Sequence, residues 1–261
     1  MTVNVGKQHL AELDENGFTV IGGAVGQDHL AQFEQQIAEL VAAQVAALGF
    51  RPRHRDPFVD LFTVGGAYTS RLFSLLERLL VLHQISAAIA DDFGREGFFE
   101  HAGIKVPLVW PDIRADMPGD ATRLLPVHQD YKSMQCKTAY RLWIPLRQAN
   151  EKFGSMCAYV GTHRQGPVPH ELGDPLSPQI APECYRDCER VVFDLPAGDA
   201  VLINPLLFHA SVPNRSRRTR FTLMIQIQDL ATMIDPGRAG FGAFGQATSA
   251  RQAAEASAGR L

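Results

Sequence analysis

The apolar positions of the chain change their period near residue 97, and the change separates two stretches with different expected architectures. Upstream, hydrophobic residues recur at three- and four-residue steps. Leu30, Phe33, Ile37, Leu40, Val41, Val45 and Leu48 predict one helix over 28–48 with a single buried face, ended at Gly49. Leu72, Leu75, Leu76, Leu79, Leu82, Ile85 and Ile89 predict a second helix from Ser70, which can cap it, to Phe93, with Gly94 after it. The prolines, charges and paired glycines of RPRHRDPFVDLFTVGGAY, residues 51–68, predict a loop between them. Downstream the apolar runs are short, as in IKVPLVW, YRLWIPL, SMCAYV, RVVFDL, AVLIN and RFTLMIQIQ, and Pro, Gly, Asn and Asp separate them. That is the grammar of a strand-rich sandwich or barrel. Pro107, Pro145 and Pro205 belong at strand ends, edges or bulges. From Asp235 the chain turns to Gly, Ala, Ser and Gln, the composition of a loose tail. Without repeat or linker, the pattern predicts a single domain over 1–234, helical over 1–96 with a strand-built core over about 97–230, followed by a tail over 235–261.

Composition narrows the functions available. The chain has 261 residues, 46% of them hydrophobic and 20% charged, enough for one sizeable core. A net charge of -3 and the absence of a Lys/Arg-rich block give no basic face for nucleic acid. No continuous apolar run approaches the roughly 18 residues of a membrane span, and polar residues occupy the start where a signal peptide needs apolar ones, so a cytoplasmic protein is expected. Cys136, Cys157, Cys184 and Cys188 are too few and too irregular for a disulfide framework and read as reduced thiols. Cys184 and Cys188 with His163 or His170 form a weaker zinc candidate, because no second compact pair accompanies them.

Among nine histidines there are two His-x-Asp triplets, His54-Arg55-Asp56 and His128-Gln129-Asp130. With so many histidines the triplet alone proves nothing, and context separates the two. The first lies in a charged loop ending at Pro57; the second follows the apolar LLPV at the entry to the strand-rich part. At a strand end residues i and i+2 point to one side, so His128 and Asp130 could offer a nitrogen and an oxygen to one ion while Gln129 faces away. His209, between a strand-like run and a turn, is the candidate third ligand. Two histidines and a carboxylate on one face of octahedral Fe(II) leave three positions open, two for the keto-acid end of 2-oxoglutarate and one for dioxygen. Arg220, in the next strand-like segment, has the planar fork that recognises a far carboxylate, and Thr222 shares its strand face. Judged alone, Arg220 is a surface residue of the basic cluster RSRRTR.

Several strings taken together resemble the phytanoyl-CoA dioxygenase family of Fe(II)/2-oxoglutarate-dependent oxygenases: LDENGFTVIGGAV at 13–25, HQDY at 128–131, RLWIPL at 141–146, EKFGSMCAYVGTHRQG at 151–166, LPAGDAVLINPLLFHASVPNRS at 195–216, and Arg220. The resemblance implies a mainly β fold with α, in which N-terminal helices pack on a double-stranded β-helix core of the jelly-roll, cupin-like type. It implies that His128, Asp130 and His209 hold Fe(II), that Arg220 and Ser211 contact 2-oxoglutarate, and that Trp143 and Lys105 line its pocket. Trp143 could equally be core, and Lys105 could alternate out to solvent. The implied activity is hydroxylation of an unactivated C–H bond of a small-molecule metabolite or natural-product intermediate, with release of succinate and CO2. Asp130 argues against halogenation, because halogenating relatives carry a small residue there. The substrate mouth is expected from residues 51–68, 110–125 and 163–188, with Arg114, Arg123, Lys132 and Arg141 near enough to suit an anionic substrate. Two rivals remain: a cupin-like protein that binds a metal or small ligand without turnover, and a zinc hydrolase on the same three ligands, which lacks an obvious general base.

Overall fold

The alternating runs form strands in a computed structural model of the protein, which describes residues 5–171 and 179–234. In chain order they are β1 (Phe18–Ile21), β2 (Pro107–Asp116), β3 (Ala139–Pro145), β4 (Phe153–Tyr159), β5 (Arg190–Val192), β6 (Ala200–Ile203), β7 (His209–Asn214) and β8 (Arg220–Asp229). They make a five-stranded sheet in the order β1-β6-β3-β8-β2 and a three-stranded sheet in the order β5-β4-β7. Every pairing between named strands is antiparallel. The two sheets face one another without closing into a barrel: Trp143, Val201 and Ile203 of the larger pack with Met156 and Ala158 of the smaller in one apolar cluster. This is a jelly-roll, cupin-like core.

Strand alternation gives the large sheet two distinct faces. Its outer face carries Ile113, Leu142, Ile144, Leu202, Phe221, Leu223, Ile225 and Ile227, buried under the helices in the main core. Its inner face carries the residues between them, which are largely polar on β2 and β8. The helices are α1 (Lys7–Asn16), α2 (Gln27–Leu48), α3 (Pro57–Phe62), α4 (Gly66–Leu76), α5 (Leu80–Arg95) and α6 (Phe98–His101). Helix α2 matches its apolar pattern and stops at Gly49 in the left-handed conformation.

Three expectations need correction. The stretch over 1–96 is not wholly helical, because β1 pairs with β6 and forms one edge of the large sheet. Four residues alternating against a covering layer are too few to stand out beside longer helical periods. The helix expected over 70–93 is two helices, broken at Glu77, Arg78 and Leu79; α4 starts after Gly65 rather than at Ser70, and Gly94 lies within α5. No helix breaker marks that interruption; α4 packs against α3 and α5 against β2, so tertiary contacts set it. Finally, the loop over 51–68 contains α3, with Asp56 accepting the Phe58 N–H as its cap and Pro57 in the first turn, a start that Asp-Pro already spells. The tail over 235–261 lies outside the described residues.

By length and composition alone the segment Gly66–Arg95 is long and apolar enough to cross a membrane. It is interrupted by Glu77 and Arg78, and Leu72, Leu76, Val81, Leu82, Ile85, Ile89 and Phe93 are buried in the main core. Phe221 ties helices to sheet. It packs edge-on against Phe33 of α2 at 5.3 Å and Phe58 of α3 at 4.8 Å, with the Arg147 guanidinium 4.9 Å from its ring. Phe221→Ala is expected to lower the unfolding free energy by about 3–5 kcal/mol. A urea midpoint within experimental error of the parent would show that this packing is not the clamp between the layers.

Candidate metal centre

His128 and His209 lie in segments far apart in sequence, and their backbones bring them together. Each donates its N–H to the carbonyl of the other, at 3.0 and 3.1 Å. In such an antiparallel pair the two side chains project to the same face, and the ring centroids are 4.2 Å apart. The N–H groups of Asp130 and Tyr131 both donate to the Pro205 carbonyl, at 2.9 and 3.0 Å, which holds Asp130 beside the pair. Asp130 is thus not on a regular strand, as the i, i+2 argument supposes; it opens a 3-10 turn over Tyr131–Ser133. The result is the one expected: the three donor atoms lie within 4.8 Å of one another, the one such group found among the described residues. Nε2 of His128 is 3.6 Å from Asp130 Oδ1, and Nε2 of His209 is 3.6 Å from Asp130 Oδ2.

The donors are also in the right chemical state. Nδ1 of His128 is 2.8 Å from the Pro126 carbonyl, and Nδ1 of His209 is 3.0 Å from that of Leu207. A carbonyl only accepts, so each Nδ1 carries the proton and each Nε2 presents a lone pair to the cavity. Burial opposes ionisation of Asp130, but Arg141, His209 and His128 overcome it and hold the carboxyl well below the usual carboxylate range. His209 is pushed down to about 4 by burial and by His128, against the pull of Asp130. Neutral imidazoles and an ionised carboxylate are what a divalent cation takes. Asp130 Oδ2 is buried without a hydrogen bond, and Nε of Arg141 sits 3.0 Å from it.

The cavity at these ligands, about 40 Å³, is roofed by the inner face of the large sheet. Its deep end is basic. Arg220, 3% exposed, pairs with Asp116 and donates to Thr222, while Nε of Arg114 donates to the other Asp116 oxygen at 2.8 Å. Two guanidiniums therefore share the Asp116 carboxylate, so these three side chains together carry one net positive charge, and Nε of Arg220 has no hydrogen-bond partner. Burial pushes the Arg220 guanidinium below its ordinary value and Asp116 pulls it back. Trp143 lines the cavity with the Arg220 guanidinium 5.1 Å from its ring, and Ser211, also lining it, accepts the Leu125 N–H at 3.1 Å.

Lys105 does not join them. It is exposed and outside the cavity lining, just before β2. Of the four cations placed near the mouth, Arg114 and Arg141 line the cavity, whereas Arg123 stacks on Phe62 and Phe73 at 5.1 and 4.8 Å, and Lys132 lies 6.0 Å from the Tyr131 ring. The first triplet is structural: His54 bonds Asp60, and Asp56 caps α3 and accepts from the Thr219 backbone. Cys184 and Cys188 are free thiols, and neither they nor His163, which bonds the Asp14 carbonyl, belongs to a metal-holding group among the described residues. Part of the expected mouth, 172–178, lies outside the described residues.

Asp116 was not among the expected site residues, although Asp112, Arg114 and Asp116 at every second position of a strand mark one polar face. The Gln129 side chain faces away from the ligands, as expected, and bonds the Gly166 and Leu206 carbonyls at 2.8 and 2.7 Å and the Val168 N–H at 3.0 Å. Its own N–H donates to Nε2 of His170, whose pKa is pushed down to about 4 by burial and by Lys132.

The phytanoyl-CoA dioxygenase family model matches residues 13–222. No curated protein matches the chain. Among solved structures, the non-haem α-ketoglutarate-dependent carbocyclase SnoK from nogalamycin biosynthesis is 19% identical with a TM-score of 0.56, covering 88% of this chain and 86% of its own. The epimerase SnoN in complex with Fe3+, α-ketoglutarate and nogalamycin RO is 17% identical with a TM-score of 0.56, covering 85% and 83%. EvdO2 from Micromonospora carbonacea var. aurantiaca, complexed with 2-oxoglutarate, is 17% identical with a TM-score of 0.56, covering 90% and 96%. At these identities the likeness is one of fold.

Two outcomes follow from the geometry. His209 has a lowered folded-state pKa, so in metal-free protein its contribution to stability is complete above about pH 6.5 and is lost as pH falls toward about 4, amounting to about 2 kcal/mol at about pH 5. Denaturation midpoints measured across that window should fall, and His209→Asn should flatten the slope; an unchanged slope would remove this cause. Gln129→Leu leaves three partly buried backbone groups without their protein partner and should cost about 1–3 kcal/mol in the same measurement. A neutral substitution would mean that these bonds do not brace the loop.

Proposed function

The chain belongs to the phytanoyl-CoA dioxygenase family, and from that premise we propose that it is a non-haem Fe(II)- and 2-oxoglutarate-dependent oxygenase that hydroxylates an unactivated C–H bond of a small molecule. The observation that carries the proposal is the pairing of two features in one cavity: three donors with free lone pairs, and a buried cationic end that its own carboxylate half neutralises. A metal-binding module has use for the first but none for the second.

His128, Asp130 and His209 would hold the iron. Arg220 and Arg114 would hold the far carboxylate of 2-oxoglutarate, with the Thr222 and Ser211 hydroxyls beside them, and Trp143 walls the site from water. When bound, the iron with 2-oxoglutarate and dioxygen supplies the oxidising power that replaces a substrate hydrogen by hydroxyl and releases succinate and CO2. The protein's part is placement. The backbone bridge holds the two imidazoles, their Nδ1 bonds keep the ligating tautomer, and Arg141 orients the Asp130 carboxylate from 3.0 Å.

The neighbours named above include a carbocyclase and an epimerase, so the outcome at carbon varies on this fold. The natural-product association of SnoK and SnoN supports a metabolite or natural-product intermediate as substrate.

The test is anaerobic titration of the Fe(II)-loaded protein with 2-oxoglutarate, followed by the visible metal-to-ligand charge-transfer band. Wild type should develop the band, and Arg220→Ala should need about 30-fold or more higher 2-oxoglutarate to reach it. Iron bound without any band would remove the oxygenase reading in favour of a cupin-like binding protein. Turnover that survives zinc substitution and ignores oxygen would point to the hydrolase.

A further inference from the structure

The inner face of the large sheet continues past the metal site, and what it presents there is unusual for a solvated surface. Strand register puts Trp110, Gln226 and Arg141 in one cross-strand row. The next row inward is Asp112, Met224 and Trp143, and the next is Arg114, Thr222 and Pro145. Arg114, Arg141, Trp143 and Met224 line the metal cavity, so Trp110 and Gln226 belong to the same face one row further out. Trp110 is nevertheless 61% exposed. A singly exposed apolar residue ordinarily needs no explanation. Here it is one of only two tryptophans, and both stand on this face in adjacent rows.

Arg141 supplies the second, independent observation. It is largely buried, its Nε lacks a hydrogen-bond partner, and it lies 3.0 Å from the Asp130 carboxylate. Among the described residues its other polar contacts are Ser133 Oγ at 3.3 Å and Met224 Sδ at 4.0 Å, and Asp112 in the adjacent row lies close enough to feel its charge. Two strand spacings separate the Trp110 and Arg141 positions, about 10 Å, which is the length of two or three fused rings. An indole face at one end and, beside a metal ligand at the other, a guanidinium whose Nε has no hydrogen-bond partner select a flat molecule with an acceptor oxygen.

We propose that the Trp110-Gln226-Arg141 row is the substrate platform, and that the substrate is a planar aromatic molecule that stacks on Trp110 and directs a carboxylate, phenolate or carbonyl oxygen to Arg141. The proposal deepens the oxygenase reading, since it is that site's substrate which is described, but the binding it asserts requires neither iron nor turnover.

Calorimetric titration of the full-length protein with 2-naphthoate and with its saturated, non-planar counterpart decahydro-2-naphthoate, with and without Fe(II) and 2-oxoglutarate, tests it. The planar probe should bind and the saturated one should bind at least about fivefold more weakly. Trp110→Ala should weaken naphthoate about tenfold while Trp110→Phe, which keeps a flat ring, stays within about threefold of wild type. Arg141→Gln should weaken naphthoate about tenfold and 2-naphthol less, since the full charge on the acceptor is what the guanidinium reads. Equal affinity for the two probes, or indifference to Trp110→Ala, overturns the proposal. So does binding that appears only after deletion of residues 235–261, which would assign the face to the chain's own tail. Naphthoate binding without the charge-transfer band would leave the platform and remove the oxygenase reading; the band without naphthoate binding would remove the platform alone.

Discussion

Two hydrogen bonds between the backbones of His128 and His209 hold together the feature on which the rest of the site depends. They join the segment that follows β2 to the first residue of β7, and so make one site from two distant parts of the chain. Because the link is made by main chain, the two Cβ positions are held together whatever the side-chain rotamers, and only the χ1 and χ2 torsions of each ring are left to settle. The Pro126 and Leu207 carbonyls settle those, and with them the tautomer. A site built this way is formed before any ion arrives, so the ordering of its ligands is a cost met in folding rather than in binding.

The large sheet provides the second constraint. One set of alternate residues is buried in aliphatic and aromatic contacts with the helices; the other set, largely polar on β2 and β8, includes the charged residues that look into the cavity. The strands cannot slip by one residue without exchanging these sets, which would bury Arg220, Asp116 and Arg114 among phenylalanines and expose the core. Phe221 and Arg220 are neighbours in sequence with opposite environments, so packing of the first under α2 and α3 fixes the direction of the second.

Charge at the deep end follows from the same alternation. An arginine as buried as Arg220 is tolerable only with a carboxylate against it, and Asp116 is delivered opposite by strand register. That Arg114 shares the carboxylate changes the sum from neutral to positive. The cavity is therefore electrostatically incomplete without an anion, whereas the metal ligands at its other end are incomplete without a cation. A small molecule with a carboxylate at one end and chelating oxygens at the other meets both needs along one axis.

Local pattern determined a good deal of this. Helix α2 and its stop, the succession of short strands, and the second His-x-Asp triplet with His209 and Arg220 are all legible, because each depends on residues near in sequence or on a motif whose order survives folding. The break between α4 and α5, the placement of β1 at a sheet edge and the exposure of Lys105 were decided by packing against partners distant in the chain. Asp116 and Trp110 show the same division. Their residue types and strand periods are written in IKVPLVWPDIRAD, but a period says only that two residues share a face, never which face is buried or what stands across it. That was settled by pairing β2 with β8, since hydrogen bonding between strands, and not the order of residues along one, determines which side chains meet.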